Sequence, residues 1–203
     1  MLLIQQHSPG VVSMGLNRAD KRNAINVEMT HAIEASLIQF KYDPSVKVIV
    51  IYGVGPHFCA GMDLKDFFDS STRSPAVLAQ AKAATEHWRT RLLGDMPQTL
   101  VTAVNGFCFG AALPFLSNSQ QVFAHPDAVL GLPEINFGFA PGAQILKSLA
   151  QKLSAKRLAY AALTGRPLSA QLAQQWGLVH QLVDTDPLGA ALAYAKALVE
   201  DER

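Results

Sequence analysis

Two segments of this 203-residue chain have the make-up of corners that could stabilise negative charge. The first is His57 to Phe67, HFCAGMDLKDF. Gly61 can take backbone angles closed to other residues, and Asp63 suits the start of a short helix. Backbone N–H groups at such a corner lack helical partners and can donate to an anion. The second is Val104 to Phe115, VNGFCFGAALPF, again running from an apolar strand through a glycine turn into a helix start. Pro114 is tolerated there because it falls in the first helical turn, where an N–H would have no acceptor. Two such loops facing one another would bring two main-chain donors to one oxygen. That is the geometry of an oxyanion hole, in which a single donor is worth ~10²–10³ in rate. Taken singly, each loop also reads as a plain strand-to-helix connection.

Side chains that could move a proton or attack a substrate are few. Glu134, in the run Leu132-Pro133-Glu134, reads on its own as a helix-cap or ion-pair carboxylate. His57 and His125 stand alone, without a partner spacing that would make them a base. Cys59 and Cys108, one in each glycine loop, read as packing residues and not as nucleophiles. No Ser–His–Asp order and no metal-ligand spacing is detectable.

The elements that must hold these loops follow from the apolar pattern. Val11 to Leu16, Val46 to Tyr52 and Leu100 to Val104 read as buried strands, with Gln121 to Ala124 and Val129 to Leu132 as two shorter ones. Helices are expected over Asn26 to Phe40, Pro75 to Leu93, Gly142 to Ala150, Ser154 to Thr164, Ser169 to Trp176 and Pro187 to Glu200. Alternating strands and helices, then helices alone, is an α/β pattern with a C-terminal helical section. Gly and Pro cluster in Gly53 to Gly61, Gly94 to Gly110 and Gly131 to Gly142, each after an apolar run, where ligands of α/β folds bind.

Composition sets outer bounds. Hydrophobic residues make up 49% and charged ones 16%, which excludes a disordered chain. A net charge of +1, from 17 basic and 16 acidic residues, argues against nucleic acid as the main partner. Two cysteines exclude a disulfide scaffold. The most apolar stretch, Gly106 to Leu116, is too short and too interrupted to cross a bilayer core of about 30 Å, so no membrane partner is expected. Neither end carries a secretory or peroxisomal signal, and a cytoplasmic location is the expectation.

Six segments together resemble the crotonase (enoyl-CoA hydratase/isomerase) superfamily. They are Leu16 to Ile25 (LNRADKRNAI), His57 to Phe67, Ala103 to Leu113, Leu130 to Gln144 (LGLPEINFGFAPGAQ), Leu163 to Val179 and the segment leading to the last helix. The resemblance implies one domain over residues 1–203, a crotonase/ClpP-like spiral of ββα units with a shortened C-terminal helical section. Its core would end near residue 185 and its last helix would cover about 187–200. A homotrimer or a dimer of trimers is implied, as is an acyl-CoA or a carrier-bound thioester as substrate. No metal or redox cofactor is implied, because the thioester supplies the acidity.

Position by position, the resemblance makes the backbone N–H groups of Met62 and Ala111 the oxyanion donors. It places CoA along Ala60, Gly61, Asp63, Leu64 and Lys65, with Arg18 and Lys21 near the phosphates. Of the two glutamates that family hydratases use, the first position is Pro114 and the second is Glu134. Water addition ordinarily shares its proton transfers between two groups, so one carboxylate beside an enolate-stabilising hole points instead to a proton shuttle. The expected reaction is isomerisation of a 3-enoyl to a 2-enoyl thioester, with Glu134 as sole acid/base. An apolar acyl pocket of Phe107, Phe109, Phe115, Phe137 and Phe139 would raise its pKa. The rivals are a weak hydratase, a decarboxylase or dehydratase acting on a carrier-bound thioester, and a catalytically silent acyl-CoA-binding or scaffold protein.

Overall fold

The computed structural model describes residues 1–69, 71 and 73–201. Its backbone winds through two sheets. Six strands form the larger: β1 (Leu2–Ser8), β2 (Val11–Leu16), β3 (Val48–Gly53), β4 (Thr99–Val104), β6 (Gln121–Ala124) and β9 (Gln181–Leu182), in that spatial order. The smaller contains β5 (Phe107–Phe109), β7 (Val129–Gly131) and β8 (Leu168–Ser169). β1 and β2 are an antiparallel hairpin turning at Gly10, whose φ of 86° suits glycine. From β2 onward the large sheet is parallel, with Val11 opposite Val48 and Val48 opposite Thr99.

Each circuit lays one strand in the large sheet and then a short extended piece in a second ladder. Bridges join Ile25 to Met62 and Cys59 to Cys108, and Cys108 in turn pairs with Leu130. This is the ββα spiral. β2 and β3 are buried along their whole length because both faces are covered. Alternation divides the faces: Val48, Val50 and Tyr52 pack with Ala191 and Ala195 of α8 (Pro187–Asp201). Ile49 and Ile51 pack instead into the main core with Met29, Ile33 and Leu37 of α1 (Val27–Tyr42). The last helix thus lines the back of the sheet.

The helix starts follow their caps. Asn26 Oδ1 accepts from Met29 N–H (3.0 Å) at the head of α1. Asp63 caps the short α2 (Leu64–Phe68), and Ser74 precedes Pro75 at the head of α3 (Pro75–His87). Pro114 sits in the first turn of α4 (Leu113–Asn118). Ser154 caps α6 (Ala155–Thr164), and Ser169 caps α7 (Ala170–Trp176), which Gly177 ends; α5 is Ala143–Leu149.

One expected helix changes character. Pro75 to Leu93 is not a single α-helix: α3 ends at His87, and Trp88–Leu92 is a π-helical turn. The wider turn lets Trp88 enter the core, where it is fully buried. There its indole N–H donates to Thr30 Oγ1 (2.8 Å) and its rings stack on Phe115 at 5.1 Å. Among the described residues no helix is long and apolar enough to cross a membrane.

Candidate active site

The second ladder fastens the two glycine loops together. Cys59 N–H donates to Phe107 C=O (2.8 Å), and Phe109 N–H donates back to Cys59 C=O (3.0 Å). On the other side, Ile25 N–H donates to Gly61 C=O (2.8 Å) and Asp63 N–H to Ile25 C=O (2.9 Å). That pattern skips Met62. Neither Met62 N–H nor Ala111 N–H has a hydrogen-bond partner among the described residues. Both residues line one cavity of about 860 Å³.

Two glycines make the approach possible. Gly61 has φ 95°, and a β-carbon there would stand 3.0 Å from Phe109 C=O and 3.7 Å from Ala111 N. Gly110 has φ 51°, and a β-carbon there would meet Glu134 Oε1 at 2.5 Å. The backbone angles favour glycine at both positions, and at Gly61 a β-carbon would also crowd the Phe109 carbonyl.

Glu134 reaches the cavity from a 3₁₀ turn, Pro133–Phe137, closed by Gly138 at φ 83°. Its Oε2 is buried with no hydrogen-bond partner. Burial pushes the carboxyl above the usual glutamate range, against smaller opposing pulls from its own backbone N–H and the Arg89 charge. Much of the surrounding wall is apolar, formed by Leu64, Phe67, Phe68, Phe137, Phe139 and Ile145. Phe137 and Phe139, two of the expected pocket residues, thus line the cavity.

Three expected pocket residues lie elsewhere. Phe115 is fully buried in the core behind the cavity, against Trp88. Phe107 and Phe109, on β5, stack on one another, and Phe107 also stacks on His57 at 4.3 Å. None of the three lines the cavity; Phe67 and Phe68 of α2 supply aromatic wall in their place.

Among the expected CoA contacts, Ala60, Gly61 and Leu64 line the cavity. Arg18 and Asp63 do not; they pair with each other at 2.6 Å, and Arg18 also donates to Ala24 C=O (3.0 Å). Burial pushes the Asp63 carboxyl up, but the Arg18 hydrogen bond and charge together with backbone donors hold it below its ordinary value. The pair locks the Leu16–Ile25 segment to the first glycine loop. Lys21 and Lys65 are exposed and outside the cavity.

The remaining candidates are structural. Cys59 and Cys108 are fully buried, with burial pushing the Cys59 thiol up to about 12 and Cys108 well above its ordinary value, so both remain thiols. His57 accepts from Phe107 N–H through Nδ1 (3.3 Å), and His125 accepts from Asp127 N–H (3.1 Å); neither lines the cavity. No group of three or more His, Cys, Asp or Glu among the described residues could hold a metal ion.

Sequence reasoning overlooked Lys82, Thr85, Glu86 and Arg89, all on the cavity wall. Their spacing of i, i+3, i+4 and i+7 marks one helical face and was the available signal. Glu86 Oε1 accepts from Gln144 Nε2 (3.3 Å), and Arg89 Nε–H donates to Thr85 C=O (3.2 Å).

Known proteins resemble this chain over most of its length. The sequence is 34% identical over 186 residues to mevalonyl-coenzyme A hydratase of Aspergillus fumigatus, covering 92% of this chain and 67% of the relative. It is 31% identical over 175 residues to hydroxycinnamoyl-CoA hydratase-lyase of Pseudomonas fluorescens, covering 86% and 63%. The chain thus spans about two thirds of the length of these curated relatives. An enoyl-CoA hydratase structure from Bacillus anthracis superposes with a TM-score of 0.87 at 26% identity, over 98% of this chain and 76% of that one. The enoyl-CoA hydratase/isomerase family model matches residues 6–203, and with the spiral fold and the paired glycine loops on the same ladder, the chain belongs to the enoyl-CoA hydratase/isomerase family.

Proposed function

We propose that the cavity binds an acyl-CoA thioester and moves its double bond from the 3- to the 2-position. The thioester oxygen accepts from Met62 N–H and Ala111 N–H, with the pantetheine running along Ala60, Gly61 and Leu64. Glu134 removes a proton from C2, the electron pair spreads into a dienolate held on the thioester oxygen, and the same carboxyl returns the proton to C4. No atom is gained or lost, and the enzyme ends as it began. The two amides act where charge develops in the reaction. The raised pKa of Glu134 suits the task, because a base strong enough to take a carbon-bound proton must also release it.

The observation that carries this reading is Glu134 Oε2, buried and unpartnered in the same cavity as two free main-chain donors. Pro114 supports it as well, being buried in α4 with no carboxylate to offer. The deciding experiment supplies 3-enoyl-CoA and 2-enoyl-CoA separately and follows products by chromatography. Conversion of the 3-enoyl thioester without appreciable hydration of the 2-enoyl one is expected, and hydration at the greater rate would overturn the reading.

One observation favours a second reading, water addition. Glu86 is another carboxylate on the cavity wall, supplied by α3 in place of α4. In that case Glu86→Gln would abolish hydration of 2-enoyl-CoA.

A further inference from the structure

Arg89 is out of place in a cavity built for a hydrocarbon chain. It follows Trp88 in the π-helical turn, and its guanidinium lies 5.8 Å from the centre of the Trp88 ring. Only Nε–H is engaged, by Thr85 C=O at 3.2 Å. Among the described residues it makes no ion pair, and its two terminal amino groups have no acceptor there. The residue is half-buried, and desolvation pushes its pKa down to about 10, with the Glu86 and Glu134 charges pulling the other way. The wall's other cation, Lys82, is exposed and sits over Phe68 at 5.7 Å.

A half-buried guanidinium with unfilled donors, lying over the Trp88 ring, gains from a ligand that completes its hydrogen bonds. A planar fork of donors anchored at one N–H is suited to a planar, bidentate acceptor. We propose that Arg89 receives a carboxylate carried on the acyl chain, so that the preferred substrate is the monothioester of an unsaturated dicarboxylic acid. This rests on the reading of the cavity as an acyl-thioester site. The neighbouring Thr85–Thr30–Trp88 chain of hydrogen bonds, 2.7 Å between the threonine hydroxyls and 2.8 Å from the indole, fixes the turn from which Arg89 projects. The guanidinium is thereby held in place before a ligand arrives.

Binding can test this without turnover. Calorimetry would compare a saturated dicarboxylic monothioester of CoA with a straight-chain acyl-CoA of equal length, and with free CoA, on the wild type and on Arg89→Met and Arg89→Lys. The acid is expected to bind more tightly than the plain chain by about 10- to 100-fold, that preference vanishing in Arg89→Met and partly surviving in Arg89→Lys. Equal affinities on the wild type would overturn the proposal. So would an Arg89→Met loss equal for all three ligands, because the guanidinium would then serve the CoA phosphates. If no thioester binds better than free CoA, it is the acyl-site reading itself that fails. Thermal melts of both variants, run alongside, identify any loss that is merely unfolding.

Discussion

A β-carbon on Gly110 would stand 2.5 Å from Glu134 Oε1, so the second glycine loop and the cavity carboxylate occupy adjoining space with nothing between them. Ala111, whose amide is a proposed donor, follows Gly110 directly. Gly110→Ala therefore strains the backbone at φ 51° and displaces the carboxylate together. We expect a stability loss of ~1–3 kcal/mol and a turnover loss of ~10²-fold or more. Denaturant melts and steady-state kinetics on the one variant measure both. Unchanged turnover would mean that Glu134 is not held against this loop during the reaction.

Glu134→Gln keeps the shape and removes the base. Isomerisation should fall by ~10²–10⁴-fold while acyl-CoA affinity changes little. A rate assay paired with equilibrium binding separates the two effects, and retained turnover would exclude Glu134 as the acid/base.

The same carboxyl gives stability a sign with pH. In the unfolded chain a glutamate ionises near ~4.3, whereas burial raises Glu134 above that in the fold. The folded state therefore holds the extra proton, and its contribution, complete at low pH, is lost as pH rises through the raised value. Glu134→Gln should melt at a higher temperature than the wild type at pH 8, with the difference shrinking toward pH 4. Activity should run the other way, with the acid limb of kcat/KM centred above the ordinary glutamate value.

Arg18 and Asp63 pair at 2.6 Å and share the task of holding one loop to another. Arg18→Ala, Asp63→Ala and the double variant should show coupling of ~1–3 kcal/mol in a melting cycle. Free CoA should bind each folded variant about as it binds the wild type. A selective loss of CoA affinity in Arg18→Ala would instead restore it to the phosphate-binding role that its sequence position suggested.

Strands and helix starts were legible where burial or a cap leaves a local mark. Val48 to Tyr52 is apolar on both faces because α8 lies on one side and α1 on the other. Asn26, Ser154 and Ser169 announce helices through their own side chains. Leu2–Ser8 left no such trace, because it is an edge strand with four central residues exposed. β5, β8 and β9 have three or two residues each, too few for any period to register. The glycine loops and Glu134 could be singled out in one dimension because backbone freedom and a Pro-Glu pair are local properties. Which phenylalanines wall the cavity was not readable: Phe115 and Phe137 are chemically identical, and only the three-dimensional path sends one to Trp88 and the other to the surface. Arg89 was hidden for a related reason, on a helix whose polar residues look like solvated ones until the turn beneath them widens.

That widened turn at Trp88–Leu92 carries one residue more than an α-helix would need. Excising a single residue there would let the segment rewind as an α-helix, and Trp88 and Arg89 would lose the spacing that the wider turn gives them. The indole in the core and the guanidinium lying 5.8 Å from its centre, on the cavity wall, would then lose their present register. A lone insertion in the helix is thus what allows the same stretch of chain to serve as foundation and as reading head.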